Sequence, residues 1–293
     1  MKFAVYVKNK NEFVTNGIKN LFQELKKNNI DTYFYKPLSG FIQNDCNIPV
    51  KSNRLFEYNT DLSSKIDLLI SIGGDGTFLE ATALVKNLNI PILGINTGRL
   101  GFLASVSFAD IRSVINEILT KRYTIDQRTL LELNSIPENY KGLKFALNDI
   151  TIQKTDATLI IIDTYVDGVH LNSYWADGLI IATPTGSTAY SLSVGGPIVF
   201  PSLNSIIISP IAPHNLSIRP IVIPDDKEIL IKVGSRNREF LVSSDHHSEV
   251  LTSSTNLLIK KAGFKLNIIK PENTSFYDTL RNKLMWGIDK RNI

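Results

Sequence analysis

The sequence predicts an α/β domain with a parallel sheet at the N-terminal end, followed by a mostly β domain. Three observations carry that expectation. Over residues 1–123 short apolar runs alternate with segments of helical periodicity. From residue 124 onward β-rich runs punctuated by turn signals take over. The run Ile66–Ile72 is apolar on both faces, as a central parallel strand is.

Phe3–Val7 (FAVYV) is rich in β-formers, and Val14, Ile18, Leu21, Phe22 and Leu25 then recur at helical spacing, predicting a helix over 11–28. Asp31–Lys36 (DTYFYK) reads as a second strand. Periodicity is lost from Gly40 to Ser63, where a loop with local structure is expected. After the central strand a helix is expected over Thr77–Lys86, and Pro91–Ile95 makes another strand. Ser107 is placed to cap a helix whose face is Ile111, Val114, Ile115, Ile118 and Leu119. Such alternation describes a Rossmann-like parallel sheet. The second half runs LLEL, FALNDITIQ, TLIIIDTYV, LIIAT, SIIIS, PIVI, EILIKV, EFLVS, NLLIKKA and KLNII, consistent with meanders. Asp167-Gly168 between two valines signals a hairpin. In SFYDTLRNKLMWG, Phe276, Leu280 and Leu284 share a helical face. The expected division is therefore 1–123 for the α/β domain, 124–272 for the β domain, and 273–293 for a helix returning to the first.

A length of 293 residues allows one large domain or two modest ones, and 43% hydrophobic with 20% charged residues describes a globular chain rather than a disordered one. The net charge of +4 is dispersed. No dense basic patch with interleaved aromatics is present, so nucleic acid is not an expected partner. Cys46 is the single cysteine, which suits a reducing compartment. MKFAVYVKNK is too short an apolar run for a signal peptide, and no stretch reaches the length of a membrane span; a cytoplasmic protein without a membrane partner is expected.

The stretch LLISIGGDGTFLEATAL, Leu68–Leu84, sets the functional question. Asp75 stands among Gly73, Gly74 and Gly76 where a buried strand passes into a helix. In open α/β sheets ligands bind beyond the carboxyl ends of strands. Glycines let backbone N–H groups approach phosphate oxygens, and the helix adds its positive end, so Gly73, Gly74, Gly76 and Thr77 form a candidate phosphate loop. A carboxylate there repels phosphate unless it faces a hydroxyl that must lose a proton, or helps hold a metal ion. A tight turn with Asp at positive φ is the plain structural alternative for the pentapeptide alone. The loop is neither G-x-G-x-x-G nor a Walker sequence with its lysine, which leaves phosphate neutralisation to Mg²⁺ and backbone amides.

Three further stretches carry polar groups in suggestive places. Asn96–Ala104 (NTGRLGFLA) reads either as a loop folding over the same crevice or as turn glycines, Gly98 and Gly101, with a surface charge; the surface reading is preferred for Arg99. Asn148 and Asp149 interrupt Ala146, Leu147, Ile150 and Ile152, offering an amide and a carboxylate suited to ribose hydroxyls, or a strand-end turn. Ala176–Ile198 runs from a strand into Thr183–Tyr190, then a short helix, then Gly195-Gly196-Pro197. Its hydroxyls can donate to a polar ligand and Tyr190 can stack on a base. Ser187 lacks the G-x-S-x-G setting of a hydrolase nucleophile. His214, His246 and His247 lack zinc spacing, so no metal site built from protein side chains is expected.

Together, in this order, the four stretches resemble the NAD kinase family, which phosphorylates NAD to NADP with ATP or polyphosphate. GGDGT is shared with lipid kinases of the diacylglycerol type; TPTGSTAYSLSVGGPI is the more specific element. The resemblance implies that Asp75 is the proton acceptor for the 2′-hydroxyl of the adenosine ribose, with Gly76 and Phe102 also at the NAD. It implies NAD-binding roles for Asn148 and Asp149, for Asp177 on the nicotinamide side, and for Thr188, Ala189, Tyr190, Ser191, Leu192 and Ser193 around the adenosine. His247 falls on a later polar contact. Mg²⁺ would accompany the phosphoryl donor, NAD and ATP would be the substrates, and a homodimer or homotetramer is implied. Asp149 is one methylene shorter than the family's glutamate, and Trp175 stands where relatives often have a basic residue. A GGDGT-type lipid kinase and a non-catalytic dinucleotide sensor are the competing readings. A lipid kinase calls for an apolar groove in place of the Tyr190 loop, and a sensor keeps the pocket without turnover.

Overall fold

The computed structural model describes residues 1–62, 66–98, 101–272 and 274–285. Contacts divide the chain into two compact units, Met1–Gln127 with Leu266–Ile293, and Arg128–Lys265.

In the first unit the strands run in the order Leu55–Phe56, Asp31–Tyr35, Lys2–Val7, Leu68–Gly73, Ile92–Asn96, all parallel. The chain thus winds outward from Lys2–Val7 in one direction, then returns to start again on its other side at Leu68–Gly73. That reversal is the topological switch point where such sheets bind ligands. Leu68–Gly73 is buried along its whole length, which explains its lack of polar alternation. Helix Glu12–Lys27 covers the sheet with Val14, Ile18, Leu21 and Leu25, each worth about 1.5–3 kcal/mol when fully buried. Its N-cap Asn11 accepts from the Val14 N–H, and Glu12 and Lys26-Lys27 match the helix dipole at either end.

The segment with no periodicity holds a short helix, Ser39–Asn44, and the two-residue edge strand Leu55–Phe56. Ser107 does not cap a helix as expected. Its hydroxyl donates to Asp110 Oδ2 at 2.6 Å, a 3₁₀ turn Phe108–Asp110 intervenes, and the helix is Ile111–Leu119. The helix after the central strand begins at Asp75, two residues earlier than expected, with Gly74 at the N-cap. The final helix, Phe276–Leu284, belongs to this first unit; Ser275 caps it and Leu280 is buried.

The second unit holds a six-stranded antiparallel sheet in the order Ile221–Pro224, Ser205–Ile211, Gly178–Ala182, Asp149–Gln153, Glu239–Ser244, His247–Thr252. It is not a plain meander, because Asp149–Gln153 is inserted between a three-strand meander and a hairpin. Ile160–Val166 and Val169–Ala176 form the hairpin read from Asp167-Gly168, whose φ values are +48° and +79°. NLLIKKA and KLNII are one strand, Leu257–Pro271, and FALNDITIQ is two, Phe145–Ala146 and Asp149–Gln153. Within this unit the six-stranded sheet and the strands Val169–Ala176, Ile160–Val166, Ile229–Gly234 and Leu257–Pro271, paired in that order, share a core of Ile150, Ile152, Ile162, Leu179, Ile181, Phe240 and Val242 among others. No helix of the described residues is long and apolar enough to cross a membrane.

Candidate active site

Asp75 is the first residue of its helix, at the carboxyl end of the central strand and at the switch point. It does not adopt positive φ, so the turn explanation for an aspartate here fails. Its carboxylate leaves the helix to collect the backbone N–H groups of Phe102, Leu103 and Ala104 at 3.0, 3.0 and 3.1 Å. Lys283, from the final helix, donates to Oδ2 at 3.0 Å and lies 4.6 Å from the centre of the Phe102 ring, whose centre is 6.2 Å from that of Phe276. Burial raises the pKa of Asp75, but Lys283 and the amides outweigh it and hold the group below the ordinary carboxylate value. It is ionised at neutrality.

The glycines of this region fall into two kinds. A Cβ on Gly101 would stand 2.0 Å from Asp75 Oδ1, and one on Gly73 would stand 2.3 Å from Thr77 Oγ1, so the fold itself requires both to be glycine. At Gly74 and Gly76 a Cβ would meet nothing within 4 Å, and both are exposed. Nothing in the protein demands glycine there. Gly74 supplies no side-chain cap, leaving the helix's first N–H groups without one, a setting suited to anions. Thr77 is buried beneath the turn. Arg99 lies outside the described residues.

In the second unit Asn148 and Asp149 stand at the start of a strand paired to Gly178–Ala182, with Asp149 opposite Ala182. Asp149 is 5% exposed, and its pKa is pushed up to about 7 by burial and then by the charge of Asp245. Asp245, at φ +52°, accepts the N–H groups of Leu147, Asn148 and Asp149 at 2.9, 2.8 and 3.2 Å. Burial raises Asp245 to about 6 against those three amides. This turn breaks FALNDITIQ in two and presents the pair. Asn148 O also accepts from Thr183 N, and a Cβ on Gly186 would stand 2.1 Å from it.

The loop after Gly178–Ala182 spends its hydroxyls on partners within the protein. Thr183 donates to Leu147 O, Ser187 to Pro184 O, Thr188 to Thr185 O, and Ser191 pairs with Ser209. Ser187 also accepts from Val199 N and is fully buried, which removes it as a nucleophile. What the loop exposes is the Tyr190 ring, its hydroxyl accepting from Gln153, together with Ser193; Ala189 and Leu192 are half-buried beside them. Asp177 is ion-paired with Lys154 at 2.6 Å. Trp175 is exposed, and His247 is exposed with its ring 4.2 Å from that of His246.

The structure therefore brings Gly73, Gly74, Asp75, Gly76, Thr77 and Phe102 together in the first unit, and Asn148, Asp149, Asp177 and Thr188–Ser193 around adjacent strands in the second. His247 stands two residues after Asp245 in the neighbouring hairpin. Sequence reasoning missed Lys283, Asp245 and Lys154. A trace of Lys283 was present: it lies three residues after Leu280 and seven after Phe276, on the apolar face of its helix.

The sequence pattern of the ATP-NAD kinase N-terminal domain matches residues 6–123, and that of the ATP-NAD kinase C-terminal domain matches residues 147–271. An NAD kinase of Flavobacterium psychrophilum is 48% identical over 100% of both chains. One from Bacteroides fragilis is 46% identical over 99% of this chain and 100% of its own. Among solved structures, yeast NADH kinase complexed with NADH superposes with a TM-score of 0.89 at 26% identity, covering 100% of this chain and 90% of the other. An NAD kinase from Archaeoglobus fulgidus in complex with ATP gives 0.73 at 26% identity, covering 98% of each. Fold and relatives define a phosphotransferase whose acceptor is an alcohol group. The chain belongs to the NAD kinase family, whose reaction turns NAD into NADP.

Proposed function

We propose that this chain transfers a phosphoryl group from ATP to the 2′-hydroxyl of the adenosine ribose of NAD, with Asp75 as proton acceptor. The observation that carries the reading is an ionised carboxylate at the N-terminus of a helix whose glycines, Gly74 and Gly76, face open space. Phosphate oxygens fit the helix end, and an acceptor hydroxyl fits the carboxylate. As the hydroxyl oxygen attacks the γ-phosphorus, its proton passes to Asp75 and the bridging oxygen leaves with ADP. Positioned proton acceptors of this kind contribute about 10²–10⁴-fold, and alignment of the reactants supplies much of the rest.

In the second unit, the exposed Tyr190 ring is suited to stack on adenine, with Thr188, Ala189, Ser191, Leu192 and Ser193 shaping its surroundings. Asn148 and Asp149 suit ribose hydroxyls, Asp177 an amide such as that of nicotinamide, and His247 a further polar contact. Trp175 brings no positive charge, and the cation paired with Asp177 is Lys154. No cluster of three or more His, Cys, Asp or Glu side chains able to hold a metal occurs among the described residues. A divalent cation fits best when carried by the donor's phosphates, as Mg²⁺ commonly is, and there it would neutralise their charge. The exposed apolar residues Ile221 and Val222, on the edge strand Ile221–Pro224, support self-association through this sheet into a homodimer or homotetramer. The single cysteine, buried Cys46, is consistent with a cytoplasmic setting.

Incubating the protein with ATP and Mg²⁺, and with NAD or diacylglycerol as acceptor, separates the readings. NADP formed and no phosphatidic acid is the expected result. Phosphorylated lipid would make it a lipid kinase, and NAD binding without NADP would make it a sensor.

A further inference from the structure

Phosphoryl transfer needs positive charge on the oxygens of the transferring group, yet the glycine turn has no lysine of its own. The structure brings one from the far end of the chain. Lys283 stands on Asp75 Oδ2 at 3.0 Å, against the Phe102 ring, with its side chain about one-third exposed (34%). This partnership is awkward for a proton acceptor. A carboxylate that already receives three peptide N–H groups and an ammonium has little need of a further proton.

The group opposing it is suited to change partners. An ammonium on a flexible four-carbon stem is a compact charge with three donors. Its second contact, the Phe102 ring, holds it loosely and without hydrogen bonds. A triphosphate seated at the helix end beside Asp75 offers several negative charges where Asp75 offers one. Resting on the NAD kinase reading above, we propose that Lys283 is a phosphate ligand of this active site: it passes from Asp75 to the oxygens of the donor and thereby frees the carboxylate. The covalent step is unchanged. The ribose oxygen bonds to the γ-phosphorus, the bond from phosphorus to the bridging oxygen breaks with its electron pair left on ADP, and the hydroxyl proton goes to Asp75. Lys283 alters only its ion-pair partner. From the Phe102–Ala104 segment Asp75 receives peptide N–H groups only, and among the described residues the charged group seated on it is Lys283.

The test compares wild type with Lys283→Gln, which can still hydrogen-bond Asp75 but carries no charge, and with Lys283→Arg, which keeps the charge. Thermal midpoints, steady-state constants for ATP and NAD, and pH profiles are measured on the full chain. The apparent KM for ATP should rise about tenfold or more in Lys283→Gln, the scale of one charge-assisted contact, while that for NAD changes by less than about twofold. The acidic limb of kcat/KM should move to higher pH, because Asp75 loses the cation that holds its proton affinity down. Lys283→Arg should recover most of the ATP affinity. If Lys283→Gln keeps the wild-type KM for ATP and an unmoved acidic limb, Lys283 is only a surface ion pair and the inference is overturned. It is overturned equally if both variants lose stability and activity to the same extent. Absence of NADP formation by the wild-type chain is a different result, and it removes the NAD kinase reading itself.

Discussion

Gly76 stands exposed in the first helical turn, and a Cβ there would meet nothing within 4 Å. Helix energetics alone prefer alanine at such a place by about 0.5–1 kcal/mol. Gly76→Ala should therefore raise the thermal midpoint by a degree or more, at about 2–4 °C per kcal/mol for a chain of this size. It should also lower kcat/KM at least about tenfold if nucleotide rests on the bare Cα, since tenfold is about 1.4 kcal/mol of lost contact. Calorimetric melting and steady-state kinetics on one preparation test both halves. A stabilised enzyme with unchanged kinetics would place the nucleotide elsewhere. Asp149 gives a second residue-scale test through pH. Its pKa is raised to about 7 in the folded protein, so its contribution favours folding at low pH and is lost as pH climbs from the ordinary carboxylate value through about 7. Asp149→Asn cannot ionise. Its midpoint should exceed that of wild type by more at about pH 8 than at about pH 5, a few degrees by the same conversion. A difference between the two proteins that does not vary with pH would mean that Asp149 is not a strained buried charge.

At the scale of elements, the site is assembled by three pieces of backbone: a strand end, the Phe102–Ala104 turn and the final helix. The first was legible in the sequence because glycine, aspartate and an unbroken apolar strand are adjacent. The second was visible only as turn glycines; that Gly101 makes room for the Asp75 carboxylate depends on a contact across 26 positions of chain, which periodicity does not record. The third was readable as an amphipathic helix, but Lys283 looked like any solvated lysine because its partner lies 208 residues away. Asp245 was hidden for a related reason: its sequence signals a turn between strands, and the three amides it collects come from Leu147, Asn148 and Asp149, far away along the chain. Ser107 failed as the helix cap because the 3₁₀ turn Phe108–Asp110 stands between it and the helix, and its hydroxyl donates to Asp110 instead. Deleting residues from Thr274 onward removes the buried Leu280, a loss of about 1.5–3 kcal/mol, and the half-buried Phe276 ring, a smaller one. The thermal midpoint should fall by several degrees, and turnover should fall with it because Lys283 leaves too. A full-length midpoint in the truncated protein would make the helix a free appendage.

At the scale of the whole molecule, the sequence pattern separated an α/β half from a β half because their hydrophobic periods differ. It could not order the strands of the second half, since a sheet with one strand inserted between a meander and a hairpin leaves no mark on any single run. The family-level function was readable because two compact motifs carry it. In the proposed reaction, what joins the motifs to chemistry is the ionised Asp75, as acceptor of the hydroxyl proton. The decisive measurement is the rate at which the full chain forms NADP from NAD and ATP, for wild type and for Asp75→Asn, alongside calorimetric binding of NAD to each. Wild type should yield a single product phosphorylated at the 2′ position of the adenosine ribose, and Asp75→Asn should bind NAD comparably while turning over at least about 100-fold more slowly, the typical worth of a positioned base. Near-wild-type turnover by Asp75→Asn, or a phosphate placed at another hydroxyl, would contradict the assignment of Asp75 as the acceptor of the 2′-hydroxyl proton.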